Sequence, residues 1–167
     1  LPFDIVVKKV SDMPMEFDAR RSAGKKTYRY TILNRNFPSA LLYGRYLFVP
    51  LPLDISAIKR AKKYLVGEHD FTSFRAANCS AKSPIRKIYK INLLKKGDFI
   101  YLTFEGGGFL KHMVRNVVGT LVQVGRGQMK SSDVKRILES KDRSQAGPTA
   151  QPQGLCLVSV EYPEVYE

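Results

Sequence analysis

The stretch IRKIYKINLLKKGDFIYLTFEGGGFLKHMVRNVVGTLVQV, residues 85–124, contains the signals that decide the fold. Residues 85–94 and 99–104 are rich in β-branched and aromatic side chains, and the Lys-Gly-Asp between them is a turn signal, which predicts a β-hairpin. After three consecutive glycines, apolar residues recur at helical spacing from about 112 to 124, which predicts an amphipathic helix. A hairpin followed at once by such a helix favours a sheet covered by helices.

The flanking sequence adds further elements. Alternation and β-branched content predict strands at 3–10, 26–33 and 155–162, and helical spacing predicts helices at 55–66 and 132–139. Asp54 is a suitable N-cap for the first of these helices, and the Pro- and Asn-containing stretch 34–53 is expected to be a loop. The resulting order, β-β-α-β-β-α-α-β, predicts an α+β domain with a mostly antiparallel sheet and helices on one face.

Composition is that of a globular protein with an unusual charge. The 167 residues include 44% hydrophobic and 26% charged side chains, which excludes wholesale disorder and fibrous repeats. Lys and Arg total 28 against 15 Asp and Glu, a net charge of +13. Such an excess predicts a polyanionic partner, and nucleic acid is favoured over an anionic membrane surface. No apolar run approaches the roughly 18 residues of a membrane-spanning helix.

Metal and disulfide chemistry have little support in the sequence. The only cysteines, Cys79 and Cys156, do not form a CxxC pair, and the only histidines are His69 and His112. This set does not match the spacing of a zinc site, so we expect no metal. Free thiols fit a cytoplasmic protein, and no signal peptide is visible.

Two residue types point to a site. Arg115 interrupts the otherwise nearly apolar helical segment HMVRNVVGTLVQV, and a guanidinium there needs a carboxylate or phosphate partner or a structural ion pair. Tyr28 and Tyr30 share one face of the predicted strand 26–33, beside several cations. Aromatic side chains among cations suit base stacking, although a buried core face is the alternative.

Two other segments carry weaker signals. GEHDFTSFRA, residues 67–76, contains His, Asp and Ser, but residues so close in sequence seldom form a hydrolase triad, and Asp70 is better explained as a helix N-cap. The glycines at 106–108 precede a helix and can bring backbone N–H groups to a phosphate, but close packing explains them equally well.

Seven stretches resemble the tRNA pseudouridine synthase A family, in the family's order and over nearly the whole chain. They are LPFDIVV (1–7), FDARRSAGKKTYRY (17–30), GEHDFTSFRAANC (67–79), SPIRKI (83–88), GFLKHMVRNVVGTLVQVG (108–125), DRSQAGPTA (142–150) and GLCLVSVEYP (154–163). The resemblance implies an enzyme that converts uridine to pseudouridine in the anticodon stem-loop of tRNA, without metal or cofactor. It also implies a ferredoxin-like or RRM-like half of a pseudouridine synthase fold, and a homodimer.

The resemblance assigns roles to individual residues. Tyr28 matches the tyrosine that packs against the target base, Arg115 the arginine that pairs with the catalytic aspartate, and Leu155 an apolar residue of the same pocket. Further contacts with tRNA are expected from basic residues in or near the matching stretches: Arg20, Lys25, Lys26, Arg29, Arg75, Lys111 and His112. The chain departs from the family pattern at three places. Asp18 and Lys111 stand where histidine is common, and Gly106 to Gly108 replace a less glycine-rich stretch.

The family's nucleophile lies in a Gly-Arg-Thr-Asp-Ala-Gly-Val-His type motif, which these 167 residues do not contain. Since the chain also begins at Leu1, we expect residues 1–167 to be the C-terminal domain of a longer synthase, inactive by itself. The alternatives are a non-catalytic RNA-binding module of the same fold and a basic hydrolase that uses His69 or His112.

Overall fold

A single six-stranded sheet forms the centre of the protein in the computed structural model, which describes residues 1–164. The strands are β1 (Lys25–Asn34), β2 (Leu47–Val49), β3 (Gly67–Asp70), β4 (Ile85–Lys96), β5 (Phe99–Gly106) and β6 (Leu155–Glu161). The helices are α1 (Ile55–Ala61), α2 (Met113–Gly125) and α3 (Asp133–Ser140). Short 3-10 turns lie at Lys62–Leu65, Thr72–Phe74, Arg143–Gln145 and Pro152–Gly154.

The sheet is mostly antiparallel, as the sequence predicted. Its order is β2-β1-β5-β4-β3, and β6 pairs with β1 along the same edge of β1 as β2 does. Among the described strand pairs, β1–β2 is parallel and the others are antiparallel. The hairpin β4–β5 turns at Gly97, which has φ of +57°, a conformation that glycine adopts without steric cost. The α+β class predicted from the order of the elements is therefore confirmed.

The core lies between the sheet and the helices. Alternate residues of β5, Ile100, Leu102 and Phe104, are buried, and they join the buried apolar face of α2 in one cluster. The helix α2 crosses the chain very closely on its other side. A Cβ on Gly119 would lie 1.7 Å from the carbonyl oxygen of Pro148, and a Cβ on Gly147 would lie 2.8 Å from Cα of Thr120.

The predicted strand at 3–10 is wrong. Residues 1–24 contain no strand, and most of 1–16 is exposed, including Phe3 and Val6. A strand requires a neighbour that accepts its backbone hydrogen bonds, and no described strand lies beside this segment. β-Branched composition alone cannot supply that neighbour.

Two short strands were not predicted, and one helix is shorter than predicted. The loop assigned to 34–53 contains β2, and the polar segment after residue 66 begins with β3. Helix α1 starts after Asp54, whose Oδ1 accepts a hydrogen bond from the Ala57 N–H at 2.9 Å, as predicted. It ends at Ala61 and tightens into a 3-10 turn, a common way for a helix to terminate.

Candidate functional site

A cavity of about 520 Å³ opens between β1, the start of α2 and the segment that leads into β6. This volume lies in the usual range for small-ligand pockets, about 300–1,000 Å³. Seven of the residues singled out from the sequence line it: Arg20, Lys26, Tyr28, Lys111, His112, Arg115 and Leu155.

Tyr28 forms one wall. It is half-buried in β1, and the ring of Phe109 contacts it edge-on, with centroids 5.3 Å apart. Phe109 is held there because Gly106 carries no side chain: a Cβ would lie 3.1 Å from Cζ of Phe109 and 2.7 Å from the Lys87 carbonyl oxygen. The glycines before α2 thus include one that close packing requires, and the aromatic wall has a fixed orientation.

Arg115 lies in the first turns of α2 and is half-buried. Its Nε donates a 2.7 Å hydrogen bond to the carbonyl of Ala150, and the Ala150 N–H donates to the Arg115 carbonyl at 3.2 Å. Among residues 1–164, no ion pair involves Arg115. A neutral carbonyl balances little of a full charge, so the guanidinium can accept an anionic partner in the cavity.

Leu155 is placed by the segment before β6. The hydroxyl of Tyr30 donates a 2.5 Å hydrogen bond to the Gln151 carbonyl, which holds this segment on the sheet. Gly154 packs so tightly that a Cβ would lie 2.7 Å from the Thr31 carbonyl oxygen and from the Tyr30 ring. Burial raises the pKa of Tyr30 above its usual range, against the opposing charge of Arg115, so the hydroxyl remains a donor at neutral pH.

His112 and Lys111 stand at the mouth of the cavity. His112 has φ of 60°, a left-handed conformation that is uncommon for residues other than glycine, and it is the N-cap of α2. Burial, followed by the charges of Arg115 and Lys111, lowers the pKa of His112 below its ordinary value, which favours the neutral imidazole near pH 7. A neutral imidazole can both donate and accept hydrogen bonds.

Three of the residues predicted to contact RNA do not line this cavity. Lys25 forms a 2.8 Å ion pair with Glu161. Arg29 follows Tyr28 in β1, so it points to the other face of the sheet, where its guanidinium lies 5.8 Å from the ring centre of Tyr101. Arg75 donates from Nη2 to the Cys79 carbonyl at 3.1 Å and thereby supports a cavity residue from behind.

Nine residues that line the cavity were not predicted as site residues from the sequence. They are Cys79, Ser80, Ala81, Arg86, Phe109, Leu110, Met113, Val114 and Pro152. Six of these nine fall inside stretches that carried the family resemblance, which was the one available signal: Cys79, Arg86, Phe109, Leu110, Met113 and Val114. Nothing in local periodicity distinguishes them from their neighbours as site residues.

In the part of the chain that the structure describes, the side chains considered for a hydrolase do not form a triad. His69 and Asp70 line a different cavity from His112. The Ser73 hydroxyl is buried and donates to the Ile137 carbonyl, while Asp70, the last residue of β3, accepts from the N–H and hydroxyl of Thr72. The sequence predicted Asp70 as a helix N-cap, but the N-cap of the turn Thr72–Phe74 is Phe71. Within residues 1–164, no group of three or more His, Cys, Asp or Glu side chains is placed to hold a metal ion, and no helix is long and apolar enough to cross a membrane.

Comparison with known proteins gives a result that does not depend on the cavity. The family model for tRNA pseudouridine synthase matches residues 61–163. A tRNA pseudouridine synthase A from Geobacter sp. (strain M21) is 46% identical over 165 residues, which are 98% of this chain and 67% of that protein. Proteins of the same name from Burkholderia mallei (strain SAVP1) and Burkholderia thailandensis are 45% and 44% identical over 163 residues. The chain covers 60% of the length of each of these two.

Proposed function

Because the chain belongs to the tRNA pseudouridine synthase family, we propose that it takes part in the isomerisation of uridine to pseudouridine in tRNA. In this reaction the bond between ribose C1′ and uracil N1 breaks and a bond between C1′ and C5 forms. The proton on C5 is lost and N1 gains one, so no redox step is needed. The observation that carries the proposal is the meeting of Tyr28, Arg115 and Leu155 around one cavity.

The cavity is suited to a base that has left its stack. Tyr28 offers an aromatic face, and Leu155 with Met113 and Val114 offers apolar walls that exclude water. In such surroundings, a charge pair is stronger than in water. We therefore assign Arg115 to orient a catalytic carboxylate, and Tyr28 and Leu155 to hold the uracil ring.

The carboxylate is proposed to come from outside these 167 residues, since they lack the family's aspartate motif. The chain then acts as the C-terminal domain of a synthase, residues 1–167, and is inactive alone. The finer assignments rest on the resemblance: uridines of the anticodon stem-loop as targets, a homodimeric enzyme, and a cytoplasmic location. The net charge of +13 supports a tRNA partner.

Tritium release from tRNA labelled at C5 of uridine tests this proposal, with the 167-residue chain measured beside the full-length gene product. We expect release by the full-length protein and none by the chain alone, which should nevertheless bind tRNA in a salt-sensitive manner. Release by the chain alone would contradict the assignment of the nucleophile. Binding without release by either protein would favour the RNA-binding module.

A further inference from the structure

A second cavity, of about 400 Å³, adjoins the first. The two share Arg20, Lys26, Arg86 and Phe109. Phe109 also contacts Tyr28, so the aromatic wall of the first cavity is at the same time the boundary with the second. Because the two cavities share these walls, they are close enough together to hold a base and a phosphate of one RNA strand.

The second cavity is strongly positive. Five cationic side chains line it together with one carboxylate: Arg20, Arg21, Lys26, Arg86, Lys87 and Glu68. None of these five cations belongs to an ion pair among residues 1–164. Like charges gathered in one concave site repel one another and raise the local potential, which favours an anionic ligand. We call this cavity the basic cavity.

The turn that carries Arg20 and Arg21 is formed before any ligand arrives. Asp18 Oδ1 accepts hydrogen bonds from the backbone N–H groups of Arg20 and Arg21, at 2.9 and 2.8 Å. The hydroxyl of Tyr162 donates to the Ala19 carbonyl at 2.9 Å, which fixes the same turn to the body of the protein. A pre-formed turn loses little conformational freedom on binding. This gives Asp18, a departure from the family pattern, a structural role.

The wall of the basic cavity formed by Arg86, Gly107 and Gly108 leaves room for a ligand to come close. Arg86 donates from Nη1 to the carbonyls of Ser83, at 3.0 Å, and Ile85, which directs its guanidinium. Gly107 and Gly108 have no side chains there, and a Cβ on Gly108 would have Arg86 Nε, 4.0 Å away, as its nearest neighbour. A ligand can therefore reach the guanidinium over bare backbone.

We propose that the basic cavity binds the RNA phosphodiester that adjoins the target uridine, with Arg21, Arg86 and Lys87 as contacts beyond those expected from the sequence. The inference rests on the proposed function, because it takes the first cavity as the place of the target base. Phosphate held there fixes the register of the RNA strand, so that one particular base reaches Arg115.

The first test measures tRNA binding by the 167-residue chain as a function of salt. Lys87→Gln and Arg21→Gln remove exposed side chains, and Lys95→Gln, at the distal end of β4, is the matched control. Each cavity variant should reduce the salt slope by about one unit, which corresponds to a roughly fourfold smaller loss of affinity between about 50 and 200 mM salt. Lys95→Gln should leave the slope unchanged, and Glu68→Gln should strengthen binding.

The second test identifies the phosphate. A tRNA is assembled with a single neutral methylphosphonate on either side of the target uridine, and its affinity is measured with wild type, Lys87→Gln and Arg86→Gln. We expect the neutral linkage at one of the two positions to weaken binding to wild type by more than it weakens binding to either variant. If the loss of affinity from the neutral linkage and the loss from the substitution simply add at both positions, the inference is overturned. If tRNA binding and tritium release by the wild-type proteins persist in that case, the proposed function still stands; loss of both would overturn it as well.

Discussion

Replacing Gly119 with alanine tests the closest crossing in the protein. The added Cβ would lie 1.7 Å from the Pro148 carbonyl oxygen, whereas such contacts are almost never shorter than 3.0 Å. The atoms that this Cβ would meet, O and C of Pro148 and N of Ala150, all belong to the backbone. The loop 147–150 therefore has to move away from α2 by more than an ångström. That movement carries with it the Ala150 carbonyl, which is the acceptor for Nε of Arg115.

The expected cost follows from the bonds that cross this interface. Four hydrogen bonds between α2 and the loop lie between 2.6 and 3.2 Å: Arg115 Nε to Ala150 O, Ala150 N to Arg115 O, Gly147 N to Thr120 Oγ1, and Thr149 Oγ1 to Asn116 Oδ1. At about 1 kcal/mol each, their loss costs about 4 kcal/mol. Alanine in a helix interior gains about 1 kcal/mol over glycine. The net destabilisation is therefore about 3 kcal/mol.

Thermal unfolding measures this directly. For a chain of this size, the change corresponds to a melting temperature about 6–12 °C lower. Gly108→Ala is the control, because its Cβ would meet nothing closer than 4.0 Å. It should change stability by less than about 1 kcal/mol. A Gly119→Ala protein that melts at or above the wild-type temperature would refute the close crossing and the bond inventory together.

The remaining predictions concern individual side chains. In the full-length protein, Arg115→Met should nearly abolish tritium release while tRNA affinity stays within a few fold; collapse of binding with intact turnover would make Arg115 a phosphate contact instead. Lys26→Ala should lower the salt slope of tRNA binding by about one unit, and an unchanged slope would remove it from the RNA path. Arg143, which donates to Gly147 and Thr149 at 3.0 and 3.1 Å, positions the Ala150 loop, so Arg143→Lys should lower turnover more than affinity, measured as kcat against KM. Burial opposes ionisation of Asp70, but the hydrogen bonds from Thr72 and Lys141 outweigh it and lower its pKa. Its stabilising effect is thus present above the unfolded pKa of about 4 and lost as pH falls through the lower folded value, so urea unfolding of Asp70→Asn should show a weaker pH dependence there.

The parts of the fold that the sequence predicted are those with contiguous signals. The hairpin β4–β5 and the helix α2 have strong local periodicity, and both occur with nearly the expected bounds. The strand expected at 3–10 failed because pairing is a non-local property, which composition cannot supply. Strands β2 and β3 were missed because runs of 3 and 4 residues are too short to show alternation.

The site, too, was predicted only in part from the sequence. Tyr28, Arg115 and Leu155 lie far apart in the chain, and only the resemblance joined them before the structure placed them around one cavity. The alternation of 26–33 puts Arg29 on the face opposite to Tyr28, so the RNA contact expected of Arg29 stays a prediction that is separate from this cavity. The basic cavity was not foreseen, because it depends on how the turn 18–21 folds against β4 and the glycines before α2.

The charged groups of the two cavities differ in how strongly water screens them. A half-buried guanidinium with one carbonyl partner, as at Arg115, gains most from a carboxylate in its apolar surroundings. The cations of the basic cavity are exposed or half-buried, so they act in high dielectric, where many weak phosphate contacts add up and salt screens them. Substitutions at Arg115 should therefore alter turnover with little salt dependence, and substitutions in the basic cavity should alter affinity and its salt slope, so the two classes of variant can be distinguished by one pair of measurements.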